Sequence, residues 1–444
     1  MIRNMSHSLV SIVRYEEPFE SVRKAVALSH GLDHMPPKAR VFIKPNIVFW
    51  TKAVPFPKWG VITTSRVVED MVVLLKERGV DDITIGEGTV MLKAKDLKTP
   101  AHAFKTLGYH ALKKRYGVNF INVFERPFEK VDLGEGITLN FNRDILHSDF
   151  VVDLPVLKTH SQTVVSLGIK NLKGTIDIRS RKKCHNGLPG IDLHNMVSRL
   201  YRPMPAMFTL LDGIYTNERG PNVDGRIKRS NILVASTDVL SADMVGAKVL
   251  GYNPPDVPHL VYAALDKGRP TDLSDVQVVG ERIEAVASPH EYTWPYNEEG
   301  TLPTAMAKMG IKGLSYPKYD LSICTYCSGL TRMVLMAIAQ AWKGKAWEDV
   351  EVLTGKEMKA TPGYKKTILL GKCIYQANKD NPHIQEMLAI KGCPPSPDAI
   401  FKALRQAGIE VDRDFFEHMD RVPGMHMKRY EGKPEFDETF FRIT

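Results

Sequence analysis

Cysteine is scarce in this chain, five residues in 444. That number excludes a disulfide scaffold and makes the grouping of the five the informative quantity. Long apolar runs are missing as well. No segment approaches the ~18 uninterrupted apolar residues that a membrane span requires, and the start, "MIRNMSHSLVSIVRYEEPFE", has neither an apolar h-region nor a small-residue cleavage site. A cytoplasmic protein with no membrane partner is expected. There is no GxxxxGK[ST], no GxGxxG opening a helix and no HExxH, so the specific nucleotide and zinc-protease signals are lacking. Acid does not dominate: 60 Lys and Arg against 51 Asp and Glu leave a formal charge of +9, which favours anionic partners. The basic residues lack interleaved aromatics and no nucleic-acid module is visible, so no nucleic-acid partner is expected. Neither an internal repeat nor a low-complexity tract is present.

With 444 residues and 43% apolar content, the chain can bury a sizeable core in two or three domains. Its first third alternates strands and helices. "ARVFIKPNIV" reads as a short apolar strand, and "SRVVEDMVVLLKERG" as a helix with Ser65 as N-cap and Gly79 as its stop. "DDITIGEG" reads as a second strand. Strand, helix, strand in that order is the βαβ signature of a mostly parallel sheet. "SDFVVDLPVLKTH", "AMFTLLDGIYTNERGPNVDG" and "SNILVASTDVLSADMVGAKVLG" continue the pattern, and their polar clusters fall beyond strand ends, where ligands bind in such sheets. The fold class expected is α/β: a mixed, mostly parallel sheet domain over residues 1–290, a Pro/Tyr-rich connector over 291–319, and a smaller α/β domain carrying four cysteines over 320–444.

Those four are Cys324, Cys327, Cys373 and Cys393. The first two open a predicted helix as a CxxC, Cys373 closes the predicted strand "KTILLGKC", and Cys393 precedes the helix "SPDAIFKALRQAGI", with Ser396 as N-cap and Pro397 at its first position. In a parallel unit, strand ends and helix starts share one edge, so the four thiols can converge there. Helix N-H groups and the positive dipole end also favour thiolates at that edge. Such a set suits a [4Fe-4S] cluster or, alternatively, tetrahedral Zn. One CxxC plus two distant cysteines, the last within "GCPP", resembles a cluster set more than the paired CxxC motifs of zinc sites. Free cysteines are also commonly buried small hydrophobes, which accounts for Cys373 more readily than for the CxxC.

The second constellation is "KTHSQTVVSLGIKNLKG" followed by "RSRKKCHNGLPGIDLHN". From Lys158 to Lys183 there are seven Lys or Arg against one acid, Asp177. Lys158, Thr159 and His160 fall after a strand, and Lys170, Asn171 and Lys173 are expected in a turn ending at Gly174. The cluster suits a carboxylate or phosphate. His185 and His194, with His160, can ligate a metal or move protons. A solvated basic loop is the plainer reading of Arg179 to Lys183.

At "VFIKPNIV", the Thr63-Thr64 turn, "ITIGEG", "DFVVDLPVLKTH", "GIKNLKG", "LLDGIYTNERGP" and "LVASTDVLSADMVGAKVLG", roughly residues 9 to 265, the sequence resembles the DUF362 family, whose name records an unknown function. The resemblance implies an α/β domain that gathers Lys44, Asn46, Glu87, Lys158, His160, Lys170, Asn171, Lys173 and Asp212 around one cleft. Many relatives add ferredoxin-like cysteine motifs; here the compact run is absent and the dispersed cysteines would stand in for it. The expected function is an iron-sulfur protein, an oxidoreductase or electron-transfer component of anaerobic metabolism, acting on a small anionic molecule or a redox protein partner. One alternative is a non-redox enzyme of proton-transfer or lyase type with a further metal or organic cofactor in the cleft, using Lys158, His160, Lys170 and His185. Another is a cluster or cofactor maturation factor. A homo-oligomer is compatible with all three.

Overall fold

The computed structural model describes residues 7–90 and 96–443. Sixteen strands occur among them: β1 Ser8–Arg14, β2 Val41–Pro45, β3 Ile83–Glu87, β4 Asn119–Asn122, β5 Phe128–Asp132, β6 Thr138–Asn142, β7 Phe150–Leu154, β8 Val156–His160, β9 Val164–Ser166, β10 Met207–Glu218, β11 Arg226–Ser236, β12 Val276–Gly280, β13 Leu314–Ser315, β14 Val350–Leu353, β15 Lys366–Leu370 and β16 Glu386–Ile390. The chain divides into two compact units. One runs through Ser180, resumes over His194–Thr293 and takes in the chain from Pro423 on; the other comprises Arg181–Leu193 and Trp294–Val422.

The first unit is built on a ten-stranded sheet of order β12-β1-β11-β10-β7-β2-β3-β4, with β8 paired to β10 and β9 to β8. It is mixed and mostly parallel: only β1 with β11, β10 with β11 and β8 with β9 run antiparallel. The central strands "VFIKP" and "FVVDL" are buried at every position, as expected where helices cover both faces of a parallel sheet. The helix Ser65–Glu77 buries Val67, Val68, Met71, Val72, Leu74 and Leu75. Each such side chain, fully buried, contributes roughly 1.5–3 kcal/mol. Its cap is Thr64 rather than the expected Ser65, because Thr64 keeps an extended backbone and gives its N-H to Asp212.

In the second unit β13, β14, β15 and β16 form a four-stranded, fully parallel sheet in sequence order. A helix follows β13 (Thr325–Ala341), another follows β15 (Lys372–Asn378) and a third follows β16 (Pro397–Gln406). The last is capped as expected, Ser396 accepting from the N-H of Ala399. Two details depart from the sequence reading. Cys373 lies in the first turn of a helix rather than at a strand end, because Gly371, at φ 123, turns the chain two residues earlier. The expected connector also contributes β13, so part of it is sheet.

Candidate functional site

The first unit's site lies where β2 and β7 run side by side. The chain sets β3 and β4 on one side of β2 and returns with β7 on the other, so successive crossovers part at the carboxyl ends of these two strands. That is the crevice where open α/β sheets hold ligands. The register pairs Lys44 with Asp153 and Pro45 with Leu154. Lys44 Nζ donates to Glu87 Oε2 at 2.8 Å, to the Pro45 carbonyl at 2.7 Å and to Asn171 Oδ1 at 3.4 Å. Glu87 also accepts from the N-H groups of Ile47 and Gly88, at 2.9 and 2.6 Å. Asn171 bridges the strands, its Nδ2 donating to Asp153 Oδ1 at 2.7 Å while its Oδ1 accepts from Asn46 Nδ2 at 2.9 Å. Lys158 Nζ donates to Asn46 Oδ1 at 2.7 Å and to the Val61 carbonyl at 2.8 Å. Gly174 passes so close that a Cβ there would meet Glu87 Oε1 at 2.4 Å and Lys44 Nζ at 2.6 Å.

Burial sets the proton affinities. Desolvation drives the Lys158 ammonium down to about 7, with Lys44 adding repulsion and Glu87 opposing it. Desolvation raises the Asp153 carboxyl to about 8, against the Asn171 hydrogen bond and the Lys44 charge. Asp153 Oδ2 is buried with no hydrogen-bond partner among the described residues. A buried lysine and a buried carboxyl both poised near neutrality are what proton-transfer chemistry uses. Asp212, raised by burial, accepts from the N-H groups of Thr64 and Ile214 and so pins two turns. His160 ends β8, its Nδ1 accepting from the N-H of Gln162. Lys170 and Asn171 lie in a short helix, Gly168–Asn171, and Lys173 in the 3-10 turn after it, where a plain turn was expected. Asp243 caps that helix, accepting from the N-H groups of Gly168 and Ile169 at 2.6 and 2.9 Å.

The cysteines belong to the second unit. Because its strands are parallel, the segments after β13, β15 and β16 leave from one sheet edge, and they carry Cys324 with Cys327, Cys373, and Cys393 respectively, Cys327 and Cys373 each in the first turn of a helix. Cys324 caps its 17-residue helix, and Lys372 N donates to the Gly392 carbonyl at 3.0 Å, tying the last two loops together beside Cys373 and Cys393. All four thiols are free. The Cys324 thiol is held below its ordinary value by hydrogen bonds from Cys327 and from backbone N-H groups at the helix start. Cys327 is pushed up by that same partner, by desolvation and by the charges of Cys393 and Cys373. The four sulfurs therefore act on one another electrostatically. Among the described residues, no three or more His, Cys, Asp or Glu are placed so as to hold a metal ion.

Arg181–Leu193 packs on this unit. Lys182 Nζ lies 3.3 Å from Cys393 Sγ and 5.2 Å from the centre of the Tyr326 ring. Lys356, just after β14, donates to the Lys182 carbonyl at 2.9 Å and to the His185 carbonyl. His185 Nε2 is 3.2 Å from Thr325 Oγ1. His185 thus sits with the cysteines rather than with Lys158, His160 and Lys170.

A family profile described as a domain of unknown function matches residues 41–248. The family is DUF362, and the match is confined to this stretch. A thylakoid-associated protein of Synechocystis sp. is 25% identical over 225 residues, a match that covers 50% of this chain and 66% of that relative. The lactate racemase apoprotein of Thermoanaerobacterium thermosaccharolyticum superposes with a TM-score of 0.35 at 13% identity, covering 56% of this chain and 58% of that one. A TM-score that low carries no argument about fold or chemistry. The DUF362 domain contains every residue of the β2/β7 crevice, and it also contributes the Lys182–His185 segment to the cysteine unit. No helix among the described residues is long and apolar enough to cross a membrane.

Sequence reasoning did not single out Asp153, Asp243, His259, Lys182 or Lys356. Asp153 and Asp243 carried a signal, a lone acid inside the apolar runs "FVVDLPV" and "SADMVGA". A buried carboxyl is tolerated only with partners, so such an acid marks a network. Lys182 carried none, because a charge run gives no sign of which member meets a sulfur.

Proposed function

We propose that the second unit binds an iron-sulfur cluster through Cys324, Cys327, Cys373 and Cys393, and that the protein is a redox component serving a small anionic molecule or a protein partner. The carrying observation is the placement of four free thiols at or just before the starts of three helices on one parallel-sheet edge. The donor set fits: it is all sulfur, and Lys182 supplies a positive charge beside Cys393. A tetrahedral zinc with bonds of ~2.3 Å needs its thiolates about 3.8 Å apart. A cube places its iron-bound thiolates farther apart, since sulfide-bridged irons lie between them.

Such a cluster, when bound, supplies one-electron transfer. This chain's residues do the rest. The backbone N-H groups of Tyr326 and Cys327 donate to the Cys324 sulfur. Arg181–Leu193, held by Lys356 and by the Glu357 contact to Gly187 N at 2.9 Å, brings Lys182 to Cys393, while Cys373 and Cys393 stay exposed. Anaerobic reconstitution with iron and sulfide, followed by metal analysis and electron paramagnetic resonance, tests the reading. About four irons and four sulfides per chain are expected, with loss of the signal in Cys373→Ser and Cys327→Ser. A colourless protein with less than about one iron per chain, or stoichiometric zinc after metal-free expression and equal exposure to both metals, overturns it.

A second reading rests on a different observation, the burial of Lys158 and Asp153 at the two ends of the Asn46–Asn171 hydrogen-bond chain. It assigns proton transfer to the β2/β7 crevice, with Asn46 and Asn171 fixing the two groups. An activity that survives removal of the cluster and is lost in Lys158→Met would favour it.

A further inference from the structure

Several buried polar atoms of the first unit have no hydrogen-bond partner among the described residues, and His259 stands out because both of its ring nitrogens are among them. Among the described residues the Lys170 ammonium has neither a hydrogen-bond nor an ion-pair partner, and the charges acting on it are those of Lys173 and Lys158. His259, in the helix Pro258–Asp266, is fully buried, and both of its ring nitrogens lack a hydrogen-bond partner. It stacks on His194 with ring centres 5.8 Å apart and planes 21° apart. Lys170 is close enough that its charge acts on the His259 ring.

Buried polar groups are nearly always hydrogen-bonded, and each one left unsatisfied costs about 1–3 kcal/mol. A histidine with two orphaned nitrogens beside a lysine without a counter-ion is thus a cluster short of an acceptor carrying negative charge. The nearby acids are committed elsewhere: Glu87 to Lys44 and two N-H groups, and Asp243 to the N-H groups of Gly168 and Ile169. Lys158 does not fill the role either, since it already donates to Asn46 and Val61. Lys170 keeps part of its surface open to solvent, while His259 is fully buried.

We infer that Lys170 and His259, with Lys173 alongside, form a binding site for a small oxyanion, a carboxylate or phosphate group. A single oxyanion has lone pairs enough to accept from the ammonium and from an imidazole N-H at once, and charge-assisted bonds of this kind are the strong ones. The site lies wholly in the first unit and does not depend on any metal centre.

Isothermal titration of the whole chain with inorganic phosphate, and separately with acetate, tests it at fixed ionic strength. Saturable binding of one of the two is expected, and which one binds distinguishes the phosphate from the carboxylate source. Lys170→Met and His259→Phe should each weaken binding at least about tenfold, the loss of one charge-assisted contact. His259→Phe should keep or raise the melting temperature, because it removes two unsatisfied nitrogens. Arg179→Met, at an exposed member of the basic run, should leave affinity unchanged. Absence of binding for both anions, equal affinity in Lys170→Met, or an equal loss in Arg179→Met overturns the inference.

Discussion

The Lys44–Glu87 pair provides the sharpest test of how the DUF362 domain is held together. The two side chains are 0% and 3% exposed and meet at 2.8 Å. Replacing Lys44 by Met leaves Glu87 with the N-H groups of Ile47 and Gly88 but without its counter-charge, in a place water does not reach. Breaking one side of a buried pair typically costs about 3–5 kcal/mol, because the survivor stays desolvated and uncompensated. Glu87→Gln strands the Lys44 ammonium on the Pro45 carbonyl and Asn171, and should cost a similar amount. The double variant Lys44→Met/Glu87→Gln removes both charges, so its loss should fall well short of the sum, by about 2 kcal/mol or more of coupling. Hydrogen exchange of the β2 and β3 amides across a urea series reads this unit separately from the other. A Lys44→Met loss under about 1 kcal/mol, or strictly additive losses, would refute the account of a desolvated, mutually dependent pair.

Three further outcomes are expected. Gly174→Ala drives a methyl into the same pair and should destabilise by about 1–3 kcal/mol; the loss should shrink in a Lys44→Met background, and an equal loss in both backgrounds would count against the close approach. Asp153 stays protonated in the folded state up to about pH 8, whereas the unfolded chain releases that proton near pH 4. Folded protein therefore binds more protons over that window and loses stability as pH rises through it, at about 1.4 kcal/mol per unit. Asp153→Asn should remove that slope between pH 5 and 8 in urea titrations, and parallel profiles for variant and parent would contradict it. Lys182→Met removes a positive charge beside Cys393 and should lower the potential of a bound cluster while leaving its iron content intact; Lys182→Arg should restore most of the shift. An unchanged potential at full loading would show that Lys182 does not tune the centre.

Local pattern determined much of this protein on its own. The apolar runs around Val41, Ile83 and Phe150 could only be buried strands, and their alternation with amphipathic helices implied the mostly parallel sheet. The resemblance through "FIKPN", "IGEG" and "GIKNLKG" singled out Lys44, Asn46, Glu87 and Asn171, and these form one hydrogen-bonded network. Strand ends and helix starts were enough to place the four cysteines on one edge, since parallel strands all finish on the same side.

Tertiary structure alone decided how those residues divide. A sequence lists Lys158 and Lys170 as equivalent cations, yet packing closes Lys158 onto Asn46 and Val61 while Lys170 is left without a partner among the described residues. His185 and His194 lie nine positions apart and go to different units. Lys182 and Cys393 lie 211 positions apart and come within 3.3 Å. The physical reason is one of range. Periodicity, caps and strand direction act over a few residues, so the sequence displays them. Desolvation and charge pairing depend on which segments are brought together, and only the folded chain sets that.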